Sequence, residues 1–590
     1  MIISHNNSNI YLSWREDGTK HSSTIPFRPY FFVEETSKEP PTYQPSKYIT
    51  REIEYERGDW VNLEGTRLKK VYAEMPEDLR NLKNTFSRTY EADVPYTYRY
   101  CVDRLEEIKE YDMRKWYWDM EWQQGGEHHD KITTIVMYDN YDEDYYQWVW
   151  FPKRMNEHKL ILSHDKLFEN KKRRTDSTLR VFDTEKDMLE NFMGTMMVKD
   201  PDMLIAWFGN WADLPKLFSR CAFYDIDPSI ISPLGVVDGI KVKDGKVRFT
   251  KEENGYHATA QPIRGRITLN LDMAFERQWN DAQKGTLPSL SLDYVSTALF
   301  GEGKSKETKF EDANEFYRRG WLEDTQAYLK YALIDVELLV KIDETNFCSE
   351  AILSLQRLLI APFDACFFAS NMGSIYFMRN AWWKAPTGEK PKFKVCDKCS
   401  HKNPNEKTLR ECKKCGASLS YSGAMIYNPT DEGTNGLHYN VAAFDFAGLY
   451  PSMIIARNIS FETLTEEPTL FSADLNTPQN LQPVAEDYEK DMRYFKTDKL
   501  GLLPRSLIDL KELRGEYKKY MKEARKAGDK EAVVKWNNNQ MAVKRLMASF
   551  YGILAFKGFG WANVDLAASI TASAREAIRK AAFTAREMEG

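Results

Sequence analysis

Asp119 and Glu121 stand two residues apart in the strand-like run Trp118-Asp119-Met120-Glu121-Trp122. Alternate strand residues share a face, so both carboxylates point one way while Met120 points into the core. Two like charges on one face repel unless a cation lies between them, which suits a hard divalent ion such as Mg2+ or Mn2+. An acidic pair on an exposed strand face is the plainer alternative. Two later segments could complete a ligand set. Residues 202–215 read as a buried strand, a Gly209-Asn210 turn and a helix start that carries Asp213. Tyr331 and Asp335 lie at i and i+4, one turn apart on one helical face. Four carboxylates holding two cations could activate a water and stabilise the leaving oxygen of an in-line displacement, with the Tyr331 hydroxyl orienting the water.

The second half offers three more candidates. Cys396-x2-Cys399-x12-Cys412-x2-Cys415 has zinc-ribbon spacing, with Gly416 placed for a knuckle turn. Four thiolates make a closed tetrahedral site, structural for Zn2+, with an iron–sulfur cluster as the alternative. Lys398, Lys413 and Lys414 beside it could touch a nucleic acid or a partner chain. Asp445 closes the apolar run His438-Tyr-Asn-Val-Ala-Ala-Phe444 and is expected at the end of a buried strand. A charge there is costly unless it is paired or holds a metal, although a structural aspartate is the bland alternative. Segment 505–545 holds 12 Lys/Arg and 6 Asp/Glu, a local excess of six positive charges in a chain of net charge −6. Phosphate binding needs such an element, and a solvated helical hairpin would show it too.

The elements that must position these groups follow from pattern. The first stretch, with Phe27-Arg-Pro-Tyr-Phe-Phe-Val33, predicts a small β-rich domain. Strands and helices alternate from about Tyr117 to about Glu344, which predicts an α/β domain. Pro504 starts a helix that runs to about Lys526, where Gly528 stops it. A second helix runs from about Lys530 to Tyr551, with Gly552 just beyond, so the pair forms a helical hairpin. The length predicts several domains, and 42% hydrophobic with 29% charged residues fits a folded enzyme rather than a disordered chain. The N-terminus has no secretory pattern and no apolar run reaches membrane-spanning length. Cys101, Cys221, Cys348 and Cys366 are scattered, as buried thiols in a reducing compartment would be. A cytoplasmic protein of a prokaryotic or phage-infected cell is expected, with no membrane partner.

In order and spacing the three carboxylate segments resemble the exonuclease motifs of DnaQ-like proofreading domains, in the form found in family B DNA polymerases. The flanking runs EADVPYTYRY (91–100) and SLDYVSTALFGEGK (291–304) look like the same family. The resemblance implies that Asp119, Glu121, Asp213 and Asp335 bind the exonuclease metals and that Tyr331 orients the water. Asp445-Phe-Ala-Gly-Leu-Tyr450-Pro-Ser resembles the family's motif A, and Asn458, Ser460 and Thr463 follow it. It implies that Asp445 binds the catalytic Mg2+ ions and that Tyr450 excludes a 2′-hydroxyl. Gln540-Met-Ala-Val-Lys544-Arg-Leu-Met-Ala548-Ser-Phe-Tyr551-Gly552 resembles motif B on a fingers hairpin. It implies that Arg514, Lys518 and Lys544 grip the triphosphate of the incoming dNTP, with Tyr551 close to the nascent base pair.

Some positions depart from the family. Ala212 replaces an aromatic before Asp213, a role for which Trp207 and Trp211 are candidates. Ala548 replaces an asparagine four residues after Lys544, and Gly448 replaces a small polar residue. No motif C follows motif B, and the tail offers one aspartate, Asp565. The resemblance implies an α/β multidomain chain: an RNase H-like exonuclease domain plus a right-hand palm, helical-hairpin fingers and a zinc-ribbon insertion. The expected divisions are 1–110 N-terminal and β-rich, 111–345 exonuclease, 346–390 connector, 391–420 zinc ribbon, 421–500 palm, 501–553 fingers and 554–590 palm continuation. Expected partners are primer-template DNA, dNTPs and a second polypeptide carrying motif C and the thumb, with a sliding clamp as a further candidate. A natural split is favoured over a truncated chain. The alternative is a stand-alone 3′→5′ exonuclease whose polymerase half binds DNA without synthesis.

Overall fold

The structure, a computed structural model, describes residues 1–123, 125–152, 177–251, 254–281, 285–304, 308–381, 393–396, 399–404, 409, 411–416, 423–425, 437, 439, 441, 445–555 and 560–589. The chain is a mixed α/β protein that divides into two compact units. The first joins residues 1–27 to 105–367, and the second joins 28–104 to 368–590. The expected N-terminal segment 1–110 is thus shared between them.

The first unit is built on a six-stranded sheet. Its strands are β1 (Lys115–Trp122), β2 (Ile132–Asp139), β3 (Asp144–Trp150), β4 (Ser177–Phe182), β5 (Met203–Ala206) and β6 (Ile267–Asn270). Their order across the sheet is β4-β3-β2-β1-β5-β6. The first three pair antiparallel, whereas β4, β5 and β6 each pair in parallel. On β1 the even residues Trp116, Trp118 and Met120 are at most 2% exposed and enter the main core with Phe192 and Met196. Burying each such side chain contributes about 1.5–3 kcal/mol, which fixes the register and forces the odd residues onto the other face.

Two helices complete the positioning. Helix α1 (Asp213–Phe223) follows β5 through a short turn. Helix α2 (Thr325–Asn346) packs over the odd face of β1, where Tyr117 donates to Asp343 Oδ2 at 2.7 Å. Asp335 lies eight residues before Asp343, about 12 Å along a helix, and Tyr117 to Glu121 spans about 13 Å of strand. Pinning one end of this crossing therefore brings Asp335 over the acidic end of β1.

In the second unit a strand trio, Tyr30–Glu34, Glu54–Val61 and Arg67–Tyr72, forms one small sheet. The long helices are α3 (Leu502–Ala527), α4 (Lys530–Ala555) and α5 (Val564–Glu589). Helices α3 and α4 form the expected hairpin, closed by Gly528 at φ 73°. Gly552 does not end α4, which continues to Ala555. Ile553 and Leu554 are fully buried, and their burial outweighs the roughly 1 kcal/mol that a helical glycine costs. The buried strand expected before Asp445 is not found in the described residues. Leu437, Tyr439, Val441 and Asp445 are all exposed, and residues 438, 440 and 442–444 lie outside the described set. Most of the Lys- and Pro-rich passage (384–392) and Lys398 also lie outside it. Among the described residues no helix is long and apolar enough to cross a membrane.

Candidate active site and metal centre

The odd face of β1 and the underside of α2 bring Asp119, Glu121 and Asp335 together, with one oxygen from each lying within 4.8 Å of the others. Asp335 is 1% exposed, and its Oδ1 is buried with no hydrogen-bond partner among the described residues. An orphaned carboxylate oxygen beside two further carboxylates is the donor set a divalent cation satisfies, so the residues present fit Mg2+ or Mn2+. Asp213, the first residue of α1, stands outside this closest group. It is near enough that, after burial, its charge is the largest influence raising Asp119. Burial and the neighbouring charges push Glu121 up to about 8. Burial likewise raises Asp213 to about 7 and, against the pull of Lys304, Asp335 to about 6.

Lys304 is a member of the site that the motifs did not point to. Its Nζ donates to Asp335 Oδ2 at 2.5 Å and to the Tyr331 hydroxyl at 2.8 Å. Burial works against its charge, but Asp335, Asp119 and Glu121 hold the ammonium above its ordinary range. The loop that delivers it is made by glycines. Gly301, at φ 71°, closes the helix Leu292–Phe300, and the chain then folds back until the Lys304 amide donates to Asp293 Oδ1 at 2.7 Å. A Cβ on Gly303 would sit 2.3 Å from that same Oδ1. The signal was present as Gly301-Glu-Gly-Lys304, a tight loop ending in a cation. Tyr331 also meets the Tyr317 hydroxyl at 3.3 Å, and burial followed by the Asp335 charge keeps its phenol protonated.

The motif around Asp213 differs from expectation at its aromatics. Trp207 is 4% exposed and donates to the Leu290 carbonyl, so it is core; Trp211, 65% exposed, is at the surface with Phe208. Asn210 is 1% exposed, and its Nδ2 donates to the carbonyls of Ala258 and Ala260, each at 2.9 Å. It braces a loop.

In the second unit Tyr450 and Tyr551 pack with ring centroids 4.6 Å apart. Arg514 and Lys518 on α3 face Lys544 on α4 closely enough to depress Lys518, chiefly through the Arg514 charge. Asp445 belongs to no group of three or more potential ligands among the described residues. Asp565 is engaged elsewhere: its Oδ1 accepts from Arg493 at 2.8 Å. Asn458, Ser460 and Glu462 cap the start of α3, accepting from the amides of Gly501, Leu503 and Leu502.

The four cysteines do converge, with a sulfur from each within 4.8 Å of the others, and none of the chain's eight cysteines is in a disulfide. Burial opposes the Cys412 thiolate, but the amides of Lys414 and Cys415 and the Asn403 side chain bring it down to about 6. Gly416, at φ 68°, follows the last cysteine. Four sulfurs around one point with amide donors behind them fit a tetrahedral structural Zn2+.

The fold and these clusters define a mixed α/β, multidomain chain that holds, among the described residues, one acidic cluster and one four-cysteine cluster. Residues 389–589 match the family model for DNA polymerase family B. The chain is 25% identical to a DNA polymerase of Pyrococcus glycovorans over 95% of its own length and 64% of that protein's. It is 26% identical to one from Thermococcus gorgonarius over 69% of its length and 45% of the relative's. A third, from Thermococcus sp. (strain 9oN-7), is 25% identical over 88% and 58%. The chain thus spans less than two thirds of these relatives, and over most of its own length it is similar to family B DNA polymerases.

Proposed function

We propose that this chain is the large, N-terminal part of a family B DNA polymerase that carries its own 3′→5′ proofreading exonuclease. The observation that carries the exonuclease is the convergence of Asp119, Glu121 and Asp335 beside a buried carboxylate oxygen that no described residue satisfies. Asp119, Glu121, Asp213 and Asp335 would hold two divalent cations, which when bound supply charge neutralisation and a more acidic water. The chain's own groups do the rest. Tyr331 offers a protonated hydroxyl to orient that water, and Lys304 keeps a positive charge beside the phosphate as charge develops on it.

For synthesis, Asp445 is the palm carboxylate, Tyr450 and Tyr551 form the floor of the nucleotide site, and Arg514, Lys518 and Lys544 take the triphosphate. A second palm carboxylate and a thumb, expected from another polypeptide, would complete this site. One observation supports this: the apolar residues Leu437, Tyr439, Val441 and Phe446 near Asp445 are exposed. Ala548 favours a second reading, an exonuclease whose polymerase half only binds primer-template. The four cysteines would hold Zn2+ as a structural knuckle.

The test is to incubate the chain alone with a 5′-labelled primer on a longer template, Mg2+ and four dNTPs. Shortening without extension is expected. Extension by the chain alone would overturn the shared palm, and absence of Mg2+-dependent shortening would overturn the exonuclease. Extension gained on adding a chain with the missing carboxylate separates the first reading from the second.

A further inference from the structure

The cations of the hairpin need something to aim them. On α3, Arg514 is half-buried, and among the described residues it makes no ion pair; burial alone accounts for its depressed pKa. A guanidinium with no carboxylate beside it is free to turn, and its terminal nitrogens reach phosphate productively in only a few rotamers. One contact restricts it. Its Nε donates at 3.1 Å to Oε1 of Gln540, on the facing helix α4. Gln540 is 6% exposed, and its own Nε2 donates at 3.1 Å to Oδ1 of Asn537, one turn earlier. The relay Asn537–Gln540–Arg514 thus uses the inner nitrogen of the guanidinium and leaves the outer ones to a ligand. A neutral carboxamide can do this without spending the positive charge; a carboxylate there would cancel it. Lys544 follows Gln540 by four residues, on the same face of α4, so one helical face carries both the brace and a second cation.

We propose that Gln540 is a positioning residue that aims Arg514 at the triphosphate of the incoming nucleotide. The proposal rests on the reading of Arg514, Lys518 and Lys544 as the triphosphate grip. It is tested by titrating the full chain with inorganic tripolyphosphate in a calorimeter, so that synthesis is not required. Arg514→Ala is expected to weaken binding about tenfold or more, as the loss of a charge-assisted contact does. Gln540→Met, similar in shape but without the hydrogen bonds, is expected to weaken it about three- to tenfold. In a double-mutant cycle the Gln540→Met loss should vanish in the Arg514→Ala background and persist in Lys518→Ala, an asymmetry a merely structural role would not produce. Asn537→Ala, at an exposed position, should give a smaller loss in the same direction and guards against misfolding of the Gln540 variant. If Arg514→Ala leaves tripolyphosphate binding unchanged, the grip itself is wrong. If Arg514→Ala weakens binding while Gln540→Met does not, or the two losses simply add, the positioning role is wrong and the grip stands.

Discussion

Among the acidic side chains of the first unit, function and stability oppose each other. Glu121, Asp213 and Asp335 titrate at about 8, 7 and 6, burial being the foremost cause in each. A free carboxyl titrates at roughly 4. Between those values the folded, cation-free chain binds more protons than the unfolded one, so its stability falls as pH rises through the window from about 4 to about 8. Divalent cations bind the ionised form and reverse the loss. Mn2+ should therefore raise the melting temperature of the chain more at about pH 8 than at about pH 5; equal shifts in a thermal-shift assay would contradict the site. Asp119→Asn should raise the melting temperature of the cation-free chain at the higher pH while cutting exonuclease rate about a thousandfold. Lys304→Met should also slow the exonuclease, by about a hundredfold, because it removes both a charge at the phosphate and the brace on Tyr331 and Asp335. Both rates are read from shortening of a labelled single strand.

Helix starts and crossings decide the element scale. The start of α3 has no side-chain cap of its own at Gly501, and Ser460 and Glu462, some forty residues earlier, supply it. Gly501 is required for that approach, since a Cβ there would lie 2.4 Å from Ser460 Cβ. A second close approach joins the helix Ala369–Asn380 to α4: a Cβ on Gly373 would fall 1.6 Å from Ile553 Cδ1. Gly373→Ala should cost about 1–3 kcal/mol by overpacking, and trimming the opposing side chain in Gly373→Ala/Ile553→Val should recover part of it. Urea unfolding monitored by circular dichroism measures both. A neutral Gly373→Ala would show that the Ile553 Cδ1 methyl can turn aside without loss of packing, contrary to the expected cost.

At the scale of the whole molecule the chain crosses between two compact units, since residues 1–27 fold with 105–367 and 28–104 with 368–590. The acidic cluster lies in the first unit and the cysteines in the second. Calorimetry should resolve two transitions, each responding to its own metal. Mn2+ should raise one, whereas a thiol-competent Zn2+ chelator, or Cys412→Ser, should lower the other and leave the first in place. A single transition that answers to both treatments would mean that the units unfold together.

Much of the site was legible because its spacings are local. Strand alternation alone puts Asp119 and Glu121 on one face, helical periodicity alone puts Tyr331 and Asp335 together, and paired Cys-x2-Cys knuckles can close on one ion wherever they lie. The hairpin of α3 and α4 followed from Pro504 and Gly528 for the same reason. What could not be read depends on contacts between residues far apart in the chain. Lys304 enters the site because two glycines fold its loop onto Asp293. Trp207 is core and Trp211 surface, which neighbouring positions in a turn do not distinguish. Asp445, with Tyr439 and Val441 before it, is exposed because burial belongs to whatever covers a segment, and periodicity is silent about that. Residue types and short-range spacing determined which chemistry this protein could carry; only the tertiary packing, which sets burial and brings distant charges within a few ångströms, decided which groups share a site and how strongly each holds its proton.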